Sequence, residues 1–167
     1  MIACKPRFHS KSDPSHIAIK RSFKTINMSN NPKFSAYPGF GDHAFKLYGY
    51  SQAVRIGSRV DISGQGGWDP NSEDVVISED IKEEIDQAFR NVDLTLKNAG
   101  SKGLSQAVQI RSYHTNVGDE VIAHMTENFK KWIPDHKPIW TAIGVTKLGL
   151  PGMRVEIEAV AHDPQEA

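Results

Sequence analysis

The chain has 167 residues with 20 Lys+Arg against 20 Asp+Glu, and this zero is a cancellation. Residues 1–27 carry six basic residues (Lys5, Arg7, Lys11, Lys20, Arg21 and Lys24) and one acid, Asp13, whereas residues 28–167 hold 14 basic and 19 acidic residues. An acidic body of one domain's length is a poor partner for phosphate backbones, no apolar run reaches the ~20 residues of a membrane span, and the lone cysteine, Cys4, leaves the body without disulfide, thiolate nucleophile or Cys metal ligand, as suits a reducing cytoplasmic setting.

The basic, Ser-rich and acid-poor segment 1–27 has the composition of a mitochondrial transit peptide. That makes the mitochondrial matrix the alternative location, with an unstructured extension or a start at Met28 as the plainer reading. Residues 28–49 read as a loop-rich lead-in, with turn chemistry at Pro38-Gly39-Phe40-Gly41. Two alternating runs follow, Gln52–Ile56 and Arg59–Ser63, and Gly57-Ser58 between them predicts a two-residue hairpin. Gly64-Gln65-Gly66-Gly67 breaks the strand. Ser78 is the expected N-cap of a helix whose apolar positions Ile81, Ile85, Phe89, Val92 and Leu96 recur at helical spacing up to Gly100. A strand is expected over 107–115 and a second helix over 119–131, closed by Pro134. Two strands, 140–146 and 153–161, complete a domain spanning 50–162, with 163–167 as a tail.

The order β-β-α-β-α-β-β predicts an α+β single domain, a mixed sheet with two helices on one face. Alternation in the last strands assigns Arg154, Glu156 and Glu158, with Trp140, Ala142 and Gly144, to the second face. A face carrying a tryptophan and small residues beside charges suits assembly, with clefts where copies meet.

Three blocks in this order, Tyr50-Ser51-Gln52-Ala53-Val54, Ile62-Ser63-Gly64-Gln65 and Val155-Glu156-Ile157-Glu158-Ala159-Val160-Ala161, resemble the signatures of the RidA/YjgF family, also called the L-PSP endoribonuclease family. The resemblance covers Tyr50 to Ala161. It implies a chorismate-mutase-like fold, a homotrimer with a small-molecule ligand at each subunit interface, and hydrolysis of reactive enamines and imines to keto acids and ammonia, without cofactor or metal. By the same resemblance Tyr50 is the cleft tyrosine, Ser63 and Gly64 the water-orienting pair, and Glu156 the acid that handles the water proton. The family's carboxylate-binding arginine stands at the position of Trp140, and a nearby cysteine of some members at Ala142. An indole cannot make a bidentate pair with a carboxylate, so the expected ligand is neutral or apolar; Arg154, expected on the same face, is the alternative cation.

Other motifs carry less. The Gly-rich stretch 64–67 is not a dinucleotide fingerprint, and His124-x-x-Glu127 is a lone pair rather than a metal pattern. The competing functions are a non-catalytic trimer that binds small ligands or acts as a holdase, and an endoribonuclease, which the acidic body opposes.

Overall fold

The structure is a computed structural model that describes residues 31–164; the basic segment 1–27, with its expected targeting role, and residues 165–167 lie outside the described residues. In chain order the elements are β1 (Lys33–Ser35), α1 (Phe40–Tyr48), β2 (Ala53–Ile56), β3 (Arg59–Ile62), α2 (Ile81–Asn98), a 3-10 turn (Leu104–Gln106), β4 (Ala107–His114), α3 (Asp119–Trp132), β5 (Ile139–Gly144) and β6 (Val155–His162). The six strands form one sheet in the order β1-β2-β3-β6-β4-β5. Only the β4–β5 pair is parallel, joined through α3 as a parallel crossover requires.

The hairpin forms as the sequence predicts: Ile56 faces Arg59, and Gly57 adopts φ +59°, the left-handed conformation that a tight hairpin turn demands. Helices α2 and α3 cover one face of the sheet. Ile85, Phe89, Val92 and Leu96 of α2 and Val121 and Met125 of α3 close over Val60, Ile110, Val155 and Ile157. A second, smaller cluster joins Tyr37, Phe40 and Ala44 to Trp68, Leu148 and Met153.

The expected α+β architecture holds, with corrections. The lead-in is not all loop, since β1 and α1 both lie within it, and the helices number three rather than two. Gly39 at φ +86° opens α1, and Gly49 in the left-handed region ends it, its N–H donating to Phe45 O. The cap of α2 is Asp80, whose carboxylate accepts from Lys82 N at 2.8 Å; Ser78 instead accepts from Asp80 N and donates to Glu83. Asp163, assigned to the tail, is buried and ion-paired with Arg55 at 2.6 Å.

The assignment of faces changes in two places. Along β5, Trp140 pairs with Ile110 and Ala142 with Ser112, so Trp140 and Ala142 lie on the helix-covered side. Trp140 stacks edge-on against Phe129 of α3, ring centroids 4.8 Å apart, and its Nε1 donates to Ser112 Oγ at 2.9 Å. The residues turned outward are Ile139 and Ile143, exposed by 68% and 37%. Arg154 precedes β6, where strand alternation no longer applies, and its guanidinium reaches α2: Nε donates to Glu84 at 2.7 Å, and Nη1 and Nη2 donate to the carbonyls of Glu79 and Ser78.

Candidate active site

The sheet face opposite α2 and α3 presents Glu156 and Glu158 on β6. Glu158 meets its cross-strand neighbour Arg111, 3.7 Å apart. Glu156 stands beside Tyr113 in the β4–β6 register and has no hydrogen bond or ion pair among the described residues. Burial lifts its pKa above the ordinary glutamate value, and the charge of Glu158 adds to the rise.

Gly64 forms the opposite wall. Past the end of β3 the chain stays tied to β6 through a reciprocal backbone pair, Gln65 N to Ile157 O at 3.0 Å and Ile157 N to Gln65 O at 2.9 Å. This pairing sets Gly64 directly against the Glu156 carboxyl, so closely that a methyl group on its Cα would overlap Glu156 Oε1. A larger residue here would displace the Glu156 carboxyl, so glycine serves by its close approach and not by its backbone angle.

Between these walls opens a cavity of about 220 Å³. Helix α1 supplies Phe40 and Tyr48, Trp68 stands behind them, and the β5–β6 loop contributes Leu150 and Met153. The Phe40 and Trp68 rings lie 4.3 Å apart at 35°. Tyr50, 37% exposed, stands at the mouth. Burial raises its phenol pKa, the Gln52 amide partly offsets this, and the charges of Glu156 and Tyr48 push it further up. The lining contains no Lys, Arg or His. Among the described residues no three His, Cys, Asp or Glu side chains are grouped to hold a metal ion.

The structure thus brings together Tyr50, Gly64 and Glu156 of the residues named from sequence, and does not bring the others to them. Ser63 is adjacent but committed: its N–H and hydroxyl both donate to Gln52 O, at 2.9 and 3.2 Å, and its side chain lines a neighbouring depression with Phe34 and Asp61. Trp140 and Ala142 lie on the far side of the sheet, and Arg154 is bound to Glu84. The apolar wall of Phe40, Tyr48, Trp68, Leu150 and Met153 was missed. A signal for it existed, since six of the chain's 14 Phe, Trp and Tyr residues crowd between Phe34 and Tyr50. Outside the cleft, His124 is hydrogen-bonded between Asp86 at 2.8 Å and Glu127 at 3.0 Å, linking α2 and α3.

Residues 42–163 match the profile of the family described as Endoribonuclease L-PSP. The chain is 29% identical over 132 residues to the RutC family protein YjgH of Escherichia coli, which covers 79% of this chain and 96% of that protein. It is 36% identical over 112 residues to the 2-iminobutanoate/2-iminopropanoate deaminase of Homo sapiens, covering 67% and 78% of the two chains. Among solved structures, Rv2704 of Mycobacterium tuberculosis, described as a member of the YjgF/YER057c/UK114 family, superposes with a TM-score of 0.64 at 28% identity, covering 79% of this chain and 99% of that one.

Proposed function

This chain belongs to the Endoribonuclease L-PSP family, the RidA/YjgF family, and on that premise we propose that it hydrolyses imines or enamines to carbonyl compounds and ammonia, acting on neutral, apolar substrates. The observation that carries the reading is Glu156, a carboxyl with a raised pKa and no partner among the described residues, facing an apolar cavity across a glycine wall. A buried carboxylate is normally matched by donors. One left unmatched at a cleft is suited to proton transfer, and a pKa moved towards neutrality lets it both accept and return a proton.

The chemistry needs few parts. Water adds to the C=N carbon and gives its proton to Glu156, while Tyr50 donates a hydrogen bond to the nitrogen. Glu156 returns the proton to the nitrogen, which gives the neutral carbinolamine; it then takes the remaining hydroxyl proton and passes it to the nitrogen as the C=O forms and the C–N bond breaks, and ammonia departs. Glu156 is regenerated. An enamine first takes a proton on carbon to become the imine.

The preference for neutral substrates is supported by the lining: Phe40, Trp68, Leu150 and Met153 offer dispersion and apolar burial, and among the described residues no Lys, Arg or His lines the cavity to pair with a substrate carboxylate. Two imines test it. One is an alkyl or phenyl imine generated in place by an amine oxidase, the other 2-aminoacrylate released from serine by a dehydratase. Faster ammonia release from the first supports the reading. Faster release from the second removes the proposed preference, and rates equal to buffer with both remove the hydrolase and leave a ligand-binding protein, a reading favoured by the apolar lining with its single acid. The ribonuclease activity in the family's name is opposed by the acidic body, and salt-independent behaviour towards RNA would count further against it.

The proposal includes a homotrimer. It is supported by the sheet face opposite α2 and α3, where Ile56, Ile139 and Ile143 stand exposed. Sedimentation analysis of the full chain is expected to show three copies, and a monomer at micromolar concentration would contradict it.

A further inference from the structure

Beneath the cleft runs a row of buried polar side chains that the hydrolysis itself does not use. Trp68 Nε1 donates to the Tyr37 oxygen at 3.1 Å, the Tyr37 hydroxyl donates to Gln65 Oε1 at 3.2 Å, and Gln65 Nε2 donates to Gln52 Oε1 at 2.8 Å. Tyr37, Gln52 and Gln65 have no exposed surface.

The direction of the row is not arbitrary. An indole N–H donates and never accepts, so Tyr37, receiving it, has its own proton free to give onward. Gln65 must then turn its oxygen to Tyr37 and its amino group to Gln52, and Gln52 must turn its oxygen to Gln65. The Gln65 amino group is held on the Gln52 side by the carbonyls of Ser63 and Gly64, which can only accept, and together with Trp68 they orient two amides that are otherwise reversible. The Gln65 amino group also reaches Ser63 O, Ser63 Oγ and Gly64 O, at 3.1–3.2 Å, which ties the row to the cleft wall.

The row ends on Gln52 Nε2. This donor is buried and has no hydrogen-bond partner among the described residues, an arrangement proteins rarely tolerate without a use for it. It belongs to a residue two positions from Tyr50, and the Gln52 amide acts on that phenol to favour the phenolate. We infer that Trp68, Tyr37, Gln65 and Gln52 are positioning residues for Tyr50: the Gln52 amino group occupies the Tyr50 oxygen as an acceptor and so aims the Tyr50 O–H into the cavity at the ligand's nitrogen. Hydrogen bonds aligned head to tail polarise one another, and Tyr50 becomes the stronger donor for standing at the end of four. No proton moves along the row. The inference rests on the imine reading only for the identity of the acceptor that Tyr50 addresses.

The test reads Tyr50 directly. 3,5-Difluorotyrosine placed at position 50 of the full chain ionises well below tyrosine, within the range where the fold survives, and its fluorine resonances report the titration. Glu156, Tyr48 and the burial of the ring all act on this group and are unchanged between variants. Gln52→Met, which removes the last donor, is expected to raise the midpoint by about one pH unit. Tyr37→Phe, which removes only a hydroxyl further along, is expected to raise it by less. Identical midpoints in all three proteins overturn the inference, as does a shift in Tyr37→Phe larger than that in Gln52→Met. Melting temperatures measured alongside separate a packing role, which would lower stability and leave the midpoint in place. Imine turnover by the unlabelled protein is scored on its own: shifted midpoints without turnover remove the hydrolase and keep the row, whereas turnover with unmoved midpoints does the reverse.

Discussion

Glu84 of α2 and Glu156 of β6 lie on opposite faces of the sheet, and their surroundings treat them in opposite ways. Glu84, fully buried on α2, accepts from Arg154 N at 2.6 Å and Val155 N at 3.1 Å through one oxygen and from Arg154 Nε at 2.7 Å through the other. Every demand of that charge is met, and the carboxylate fastens the end of the β5–β6 loop to a helix. Glu156 is given no donor among the described residues, and its pKa rises instead. A fully buried carboxylate surrounded by donors is part of the structure; a half-buried one at a cleft without them is suited to proton transfer. The same division applies to two of the three tryptophans. Trp140 is consumed by packing and a hydrogen bond within the helix layer, while Trp68 lines the cleft and orients the row beneath it.

The comparison can be broken most forcefully at Glu84. Glu84→Ala leaves a guanidinium and two backbone N–H groups without their acceptor, and urea denaturation is expected to show a loss of about 3 kcal/mol; a loss below about 1 kcal/mol would mean that the clamp is not structural. Trp140→Arg is expected to cost about 2 kcal/mol, because a charged fork replaces an indole that fills space between Ser112 and Phe129. It is also expected to confer no turnover of 2-aminoacrylate, since the new side chain starts from the wrong face of the sheet. A gain of such turnover would show that β5 is oriented the other way.

The smallest effect separates the two glutamates by pH. The folded-state pKa of Glu156 is raised, so the folded protein holds its proton more tightly than the unfolded chain does. The stability associated with the protonated form is therefore complete below the unfolded glutamate value and is lost as pH rises through the raised folded value. Glu156→Gln is expected to remove that segment of the stability profile, so that the wild type falls relative to the variant with rising pH over the window. A difference that runs the other way, with the wild type gaining, would mean that Glu156 has a cation partner.

Much of this was legible in the sequence where the signal is local. The apolar repeat of α2 and the Gly57-Ser58 turn each carry their own geometry within a few residues, and both elements formed where expected. Helix α1 was hidden, because nine residues between Gly39 and Gly49 in a segment dense with Pro, Gly and aromatics read as turns. The side taken by Trp140 was not decidable by alternation, since Ile139, Trp140, Ala142 and Ile143 place apolar side chains on both faces. It is decided by register against β4, a contact between residues 30 apart in sequence. Arg154 was misplaced because alternation was extended one residue past the start of β6. Of the site, the block resemblance located Tyr50, Gly64 and Glu156, but the wall they face is assembled from α1 and the β5–β6 loop, which only the tertiary fold brings together.

The account's central claim is that Glu156 handles the proton in an apolar cleft, and the steady-state hydrolysis of a neutral imine by wild type and Glu156→Gln tests it most directly. The substitution keeps the shape of the side chain and removes its ability to take and return a proton. The account predicts that kcat falls by about 10²–10⁴-fold with the fold intact. Equal kcat in the two proteins would contradict it.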